Sequence, residues 1–129
     1  MTISRLMQMA RAGVPSGPVV WSDPDLSAAS YDSVSFSVAD TIPTGLFFKP
    51  DGSKMYYSGN GSDKVYEYNL SSPWDLSTLT LNQDFTFSHT GPTDLWFTPD
   101  GSKLYVPDNN TDLVYEYPLT TSWDISTIN

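Results

Sequence analysis

Few side chains in this sequence have the type and spacing to do chemistry. His89 is its single histidine. A catalytic histidine works as a general base beside a nucleophile, oriented by a third group. No neighbouring Ser, Cys or paired carboxylate suggests such a triad, so His89 is expected to line a turn or to face solvent. Asp108-Asn109-Asn110-Thr111-Asp112 alternates oxygen ligands as a calcium loop does, but it lacks the Gly and the later Glu of an EF-hand. An Asn/Asp-rich turn is the expected reading. The absence of cysteine removes thiolate catalysis, disulfides and cysteine metal sites together. The sequence implies no cofactor and no metal.

These stretches sit in a chain that is written twice. Phe47-Phe48-Lys49-Pro50-Asp51-Gly52-Ser53-Lys54-Met55-Tyr56 returns 49 residues later as Trp96-Phe97-Thr98-Pro99-Asp100-Gly101-Ser102-Lys103-Leu104-Tyr105. Val65-Tyr66-Glu67-Tyr68 returns as Val114-Tyr115-Glu116-Tyr117, and Trp74-Asp75-Leu76-Ser77-Thr78 as Trp123-Asp124-Ile125-Ser126-Thr127. A constant offset without insertions means one structural unit under one set of packing constraints, and a period of this length signals a repeat architecture. Asp40 occupies the place of His89 in the first copy, and the counterpart of the Asp108–Asp112 run, Gly59 to Asp63, keeps only Asp63.

Within each copy, four strand signals alternate with turn signals. Residues 31–38 and 80–88 read as outer strands. Leu46-Phe47-Phe48 and Leu95-Trp96-Phe97 are apolar runs suited to strands buried on both faces. Pro-Asp-Gly-Ser is a tight hairpin turn that leads into Lys54–Ser58 and Lys103–Val106. Val65–Leu70 and Leu113–Leu119 alternate with period two. Four antiparallel strands per 49 residues make a propeller blade. Trp74 and Trp123, each before an Asp, are expected to wedge between blades, with carbohydrate stacking as the functional alternative. Asp75 and Asp124 are expected to cap their turns through Ser77 and Ser126.

Ahead of the blades, Ile3, Leu6, Met7 and Ala10 fall at helical spacing with Arg5, Gln8 and Arg11 on the other side, and Gly13 and Pro15 stop the pattern. The expected organisation is an amphipathic anchoring helix over 1–13, a linker over 14–30 and two blades over 31–129. Of the net charge of −9, residues 1–20 contribute only Arg5 and Arg11, and the rest sets fifteen acids against four lysines. Such a body repels nucleic acid, and no apolar run is long enough to span a bilayer. No membrane or nucleic-acid partner is expected.

The aromatic-x-Pro-Asp-Gly-Ser-Lys-x-Tyr and Val-Tyr-Glu-Tyr segments resemble the blade repeat of the YVTN/lactonase-like β-propellers. The added Trp-Asp-Leu/Ile-Ser-Thr tail is similar to a variant of that repeat in virion proteins of tailed phages, and Ile3 to Ala10 is similar to the first residues of small structural proteins of marine tailed phages. The resemblance implies an all-β propeller fold. The His or Glu set of lactone- or metal-dependent propeller enzymes is missing, so a non-enzymatic protein is expected.

In strand order, the chain opens on an outer strand and ends without one, which leaves a free edge that invites pairing. Head-to-tail association of three copies would close six blades; a longer polypeptide carrying further blades is the rival reading. The functional expectation is a virion structural protein of a tailed phage, a capsid decoration or a tail or fibre component on the particle exterior. It would be held to other virion proteins by residues 1–20. The alternative is a lectin-like module that binds host surface glycans. The loops opposite the Pro-Asp-Gly turns (40–45, 58–64, 89–94 and 107–113) supply Asn60, Asp63, His89, Asp94, Asn109 and Asp112 as ligand candidates, and Trp96 is a further aromatic one. Asn60, Asn69 and Asn109 stand in N-x-S/T sequons, read as coincidental without an export signal.

Overall fold

The computed structural model describes residue 27 and residues 29–129. The expected helix over 1–13, its stripe of Ile3, Leu6, Met7 and Ala10, and all of the 14–30 linker except residues 27, 29 and 30 lie outside the described residues. Ser33–Asn129 forms one compact unit.

Its seven strands are β1 (Pro43–Phe48), β2 (Lys54–Gly59), β3 (Lys64–Leu70), β4 (Leu79–Thr86), β5 (Trp96–Phe97), β6 (Lys103–Asp108) and β7 (Leu113–Pro118). They build two antiparallel meanders, one of four strands in the order β1-β2-β3-β4 and one of three in the order β5-β6-β7. The fold is all-β, as expected, with propeller-like blades. Among the described residues, no helix is long and apolar enough to cross a membrane.

The Pro-Asp-Gly-Ser turns have the same geometry in both copies. Gly52 and Gly101 both have φ of +72°, a left-handed conformation that glycine adopts without a Cβ penalty. Asp51 accepts from the Ser53 amide at 2.9 Å, and Asp100 from the Ser102 amide at 3.1 Å. The Lys49 ammonium and Ser53 hydroxyl hold the Asp51 carboxyl well below the usual range, and the Thr98 hydroxyl and Ser102 bring Asp100 down to about 2. At the other end of the repeat, Asp75 and Asp124 accept from the amides of Ser77 and Ser126, each at 3.0 Å, and so cap the one-turn 3-10 helices Leu76–Thr78 and Ile125–Thr127.

Strand alternation sorts the core into two layers. On one face of the first sheet, Met55, Tyr57, Tyr66, Tyr68, Leu70 and Leu79 pack together, with Tyr57 stacked on Tyr66 at 4.7 Å. On the other face, Tyr56 and Val65 meet Phe87, Leu95, Phe97, Leu104, Val106, Leu119 and Ile125. That second cluster is the junction between the blades. Each large side chain buried there contributes about 1.5–3 kcal/mol.

Three expectations about strands need correction. No strand forms over 31–38: those residues make no ladder among the described residues, because their pairing partner would be the third strand of a preceding blade. Phe36 nevertheless packs edge-on against Tyr68 at 5.3 Å. Second, β1 begins inside the expected turn, since Thr44 and Gly45 bond to Ser58 across an irregularity between Pro43 and Gly45. Third, Leu46 and Trp96, read as doubly buried, are 60% and 51% exposed. Both sit on faces of the pair that no other blade covers among the described residues.

Candidate functional site

Two polar constructions stand out, one at the junction of the blades and one at the loop end. At the junction, the side chain of Glu67 is completely buried. It pairs with Lys54 and accepts from Asn82 at 2.8 Å, Gln83 at 3.0 Å and the backbone amide of Ile125 at 3.2 Å. Lys54 and the Tyr56 hydroxyl also reach the Trp123 carbonyl, at 3.3 and 2.7 Å, and Gln83 donates to Asp124 at 2.7 Å. The Ser126 hydroxyl and Gln83 hold the Asp124 carboxyl low, while burial, with the charges of Glu67 and Asp124 adding to it, pushes the Tyr56 hydroxyl far up. The Trp123-Asp124-Ile125 segment of the second blade is thus a peg seated in a socket on the first. Buried charge survives such a position only when paired and hydrogen-bonded.

Trp123 has φ of +66° and packs against Phe47 at 6.1 Å and Phe97 at 5.4 Å, one aromatic from each blade. Its amide donates to the Gly101 carbonyl at 3.0 Å, and its indole lies where a Cβ on Gly101 would be. Trp123 is the wedge the sequence implied. Trp74 makes the same bond to Gly52 at 3.1 Å and leans on Phe48 at 5.4 Å, but it is 58% exposed and, among the described residues, touches no second blade.

At the loop end the two copies solve one problem with different residues. The amides at the start of the β2–β3 and β6–β7 loops need an acceptor. In the first blade Asp40 supplies it: its carboxylate accepts from Gly61 at 3.1 Å and Ile42 at 2.7 Å and bonds the Ser62 hydroxyl. Gly59 leaves room, since a Cβ there would run into the Asp40 side chain. In the second blade the carboxylate comes from Asp108, the counterpart of Gly59, and accepts from Asn110 at 2.8 Å and Thr111 at 2.9 Å. His89 fills the place of Asp40 and binds Asp108 through Nδ1 at 2.5 Å. For both Asp40 and Asp108 burial pushes the carboxyl up, but the hydrogen bonds outweigh it and leave each below its ordinary value.

His89 therefore does line a turn, from the 88–90 bend against the carboxylate of the capped turn, but it is not exposed. It is buried, stacked on Tyr115 at 3.8 Å and beside Phe87 at 5.0 Å. Its Nε2 has no hydrogen-bond partner among the described residues. The Asp108–Asp112 run is a carboxylate-capped turn. Asp63 accepts from the Gly91 amide at 3.0 Å, and Asn109 donates its amide to the Gly91 carbonyl at 3.1 Å, so the 89–92 link gathers Asp63, His89 and Asn109. Asn60 lies on the Asp40 loop, donating its amide to Ile42 at 2.9 Å. Asp94 is exposed and bonds the next amide at 2.8 Å, and Asp112 is exposed with φ of +56°. Trp96 belongs to none of these loops: it lies on β5 beside Tyr105, at 6.0 Å. The reading of residues by type missed Glu67, although a Glu inside two otherwise apolar strands was the available signal. A cavity of about 400 Å³ opens on the uncovered face of the first blade, lined by Phe36, Val38, Leu46, Met55, Tyr57 and Leu76 among others.

No family model and no curated protein matches this chain. Among solved structures, the chain is similar to the crystal structure of a candidate 6-phosphogluconolactonase from Bacteroides fragilis NCTC 9343, with a TM-score of 0.58 and 21% identity over 74% of this chain. The likeness is one of fold. This chain spans 27% of the length of that protein. The expectation of a non-enzymatic protein is corrected by this neighbour, because an architecture like this one occurs in a protein assigned to an enzymatic class. A missing His or Glu set in two blades is no ground for excluding catalysis.

Proposed function

We propose that this chain is a virion structural component of a tailed phage, displaying its blades outward and anchored to other virion proteins through residues 1–20. The resemblance of the Trp-Asp-Leu/Ile-Ser-Thr tail and of Ile3 to Ala10 to phage structural proteins supports this assignment. One observation carries the display role. The framework is the same in both copies, from the Pro-Asp-Gly turns to the Asp75 and Asp124 caps, whereas the loop end varies around a shared backbone, with Asp40 and Gly59 in one copy and His89 and Asp108 in the other. A uniform scaffold with a variable loop end suits a protein that presents a surface. Host surface glycan is the contact that the Asp63, Asn109 and Asp112 oxygens would suit.

Mass spectrometry of density-purified particles from the source tests the assignment. Peptides of this chain in the particle fraction, in proportion to capsid protein, are the expected result. Their confinement to the unassembled lysate would refute it.

A further inference from the structure

The uncovered faces of the blade pair hold the same places in the repeat as the two surfaces that meet inside it. The socket on the first blade consists of Phe47, Tyr56, Val65, Lys54 and Glu67. Their counterparts on the second blade are Trp96, Tyr105, Val114, Lys103 and Glu116, so these five positions of the socket, which do not include Asn82 and Gln83, return with a single change of aromatic. Among the described residues nothing covers it: Val65 is fully buried whereas Val114 is 67% exposed. Lys103 and Tyr105 both hold Glu116, each at 2.8 Å, keeping the carboxylate in place and low.

The opposite surface shows the same relation. The second blade enters the junction with Leu95, Leu104, Val106 and Ile125, joined by Phe87 just past the end of β4, all buried. The counterparts on the first blade are Val38, Leu46, Met55, Tyr57 and Leu76, and all five line the 400 Å³ cavity. Leu95 is 3% exposed and Leu46 is 60%. That cavity is half of a blade junction, and the Trp74-Asp75-Leu76 segment beside it is a peg already capped in the seated geometry.

We infer that a second copy of this chain is the occupant. The Trp74-Asp75-Leu76 peg and apolar face of one copy seat on the Trp96, Tyr105, Val114, Lys103 and Glu116 socket of the next, with the contacts that the Ile125 amide makes to Glu67 and the Trp123 carbonyl makes to Lys54 and Tyr56 inside each chain. The contact is heterologous, uses different surfaces on the two partners, and closes into a ring or runs on as a filament. It deepens the structural reading above by naming the partner of the blades, and rests on that reading only for where the assembly is used.

Mixing face variants tests it. Leu46→Asp breaks the first face and Val114→Asp the second; both positions are exposed, and circular dichroism checks that each variant folds. The wild-type chain is expected to sediment at a multiple of 14.3 kDa. Each variant alone should sediment as a single copy, and a one-to-one mixture should form a two-copy complex, because one intact socket then meets one intact peg face. Trp74→Ser with Trp96→Ser puts the same logic through different contacts. A wild-type chain that stays single-copy, as it would if only further blades of a longer polypeptide filled these faces, overturns the inference. So does a single variant that still self-associates, or a mixture that does not. Failure here leaves the particle assignment standing, and absence from particles leaves the assembly standing.

Discussion

Glu67 and Glu116 occupy the same place in the repeat and differ in what covers them, so one substitution made at both sites separates the junction from the strand that carries it. Glu67→Ala removes the acceptor for Lys54, Asn82, Gln83 and the Ile125 amide at once. Gln83 keeps Asp124 and Lys54 keeps the Trp123 carbonyl, but the Asn82 side chain and the Ile125 amide lose the carboxylate they donate to. Removing one partner of a buried ion pair costs about 3–5 kcal/mol, a large part of the roughly 5–15 kcal/mol that holds a domain together. With a urea dependence of about 1–3 kcal/mol per molar, the unfolding midpoint should fall by on the order of 2 M. Glu116→Ala breaks contacts to Lys103 and Tyr105 that are open to water. At dilution low enough to keep a single copy, its midpoint should match the wild type within error. Urea titrations followed by tryptophan fluorescence read both. Equal shifts for the two variants under single-copy conditions would refute the claim that Glu67 organises the junction.

Gly101→Ala should destabilise the chain by about 1–3 kcal/mol from the left-handed backbone alone, and by more once the Trp123 indole must move; a thermal melt measures it. Asp108→Gly should lower the melting midpoint by removing the acceptor for Asn110 and Thr111, and adding His89→Asp should recover most of the loss by recreating the Asp40 and Gly59 arrangement. A double variant no better than the single one would sink the exchange. Stability should also depend on pH at both ends. Asp40, Asp100, Asp108 and Asp124 titrate lower in the folded chain than in the unfolded one, so their contribution is present above about pH 4 and lost as pH falls toward about 2. Burial raises Tyr56 and Tyr57, so their contribution is present below about pH 10 and lost as the unfolded chain ionises above it. Urea midpoints across about pH 2–11 check both limbs.

The blades were legible because period-two alternation and the Pro-Asp-Gly turn are local signals, repeated without an insertion. Tyr66-Glu67-Tyr68 gives its strand and its two faces directly, and Asp75 gives its cap. What stayed hidden depends on which face another blade covers. Leu46 and Leu95 stand in matching apolar runs, yet one is open and the other buried, because only the second has a neighbour. Glu67 and Glu116 are written identically and differ for the same reason. The residues over 31–38 carry a strand pattern with no ladder to join. The Asp108–His89 pairing was out of reach for another reason: a carboxylate that moves from position 40 to the counterpart of position 59 keeps its job in space while changing its place in the repeat.

The most direct test of the peg-and-socket junction is amide hydrogen exchange, read residue by residue, at Ile125 and Leu76. The two amides hold the same place in the repeat, but Ile125 donates to buried Glu67, whereas the matching carboxylate for Leu76, Glu116, belongs to the far face of the second blade. Protection follows the free energy of opening each bond. In dilute single copies Ile125 should exchange orders of magnitude more slowly than Leu76, and Leu76 should slow toward it as concentration drives assembly. Fast exchange at Ile125, or equal rates at the two sites in single copies, would contradict the junction.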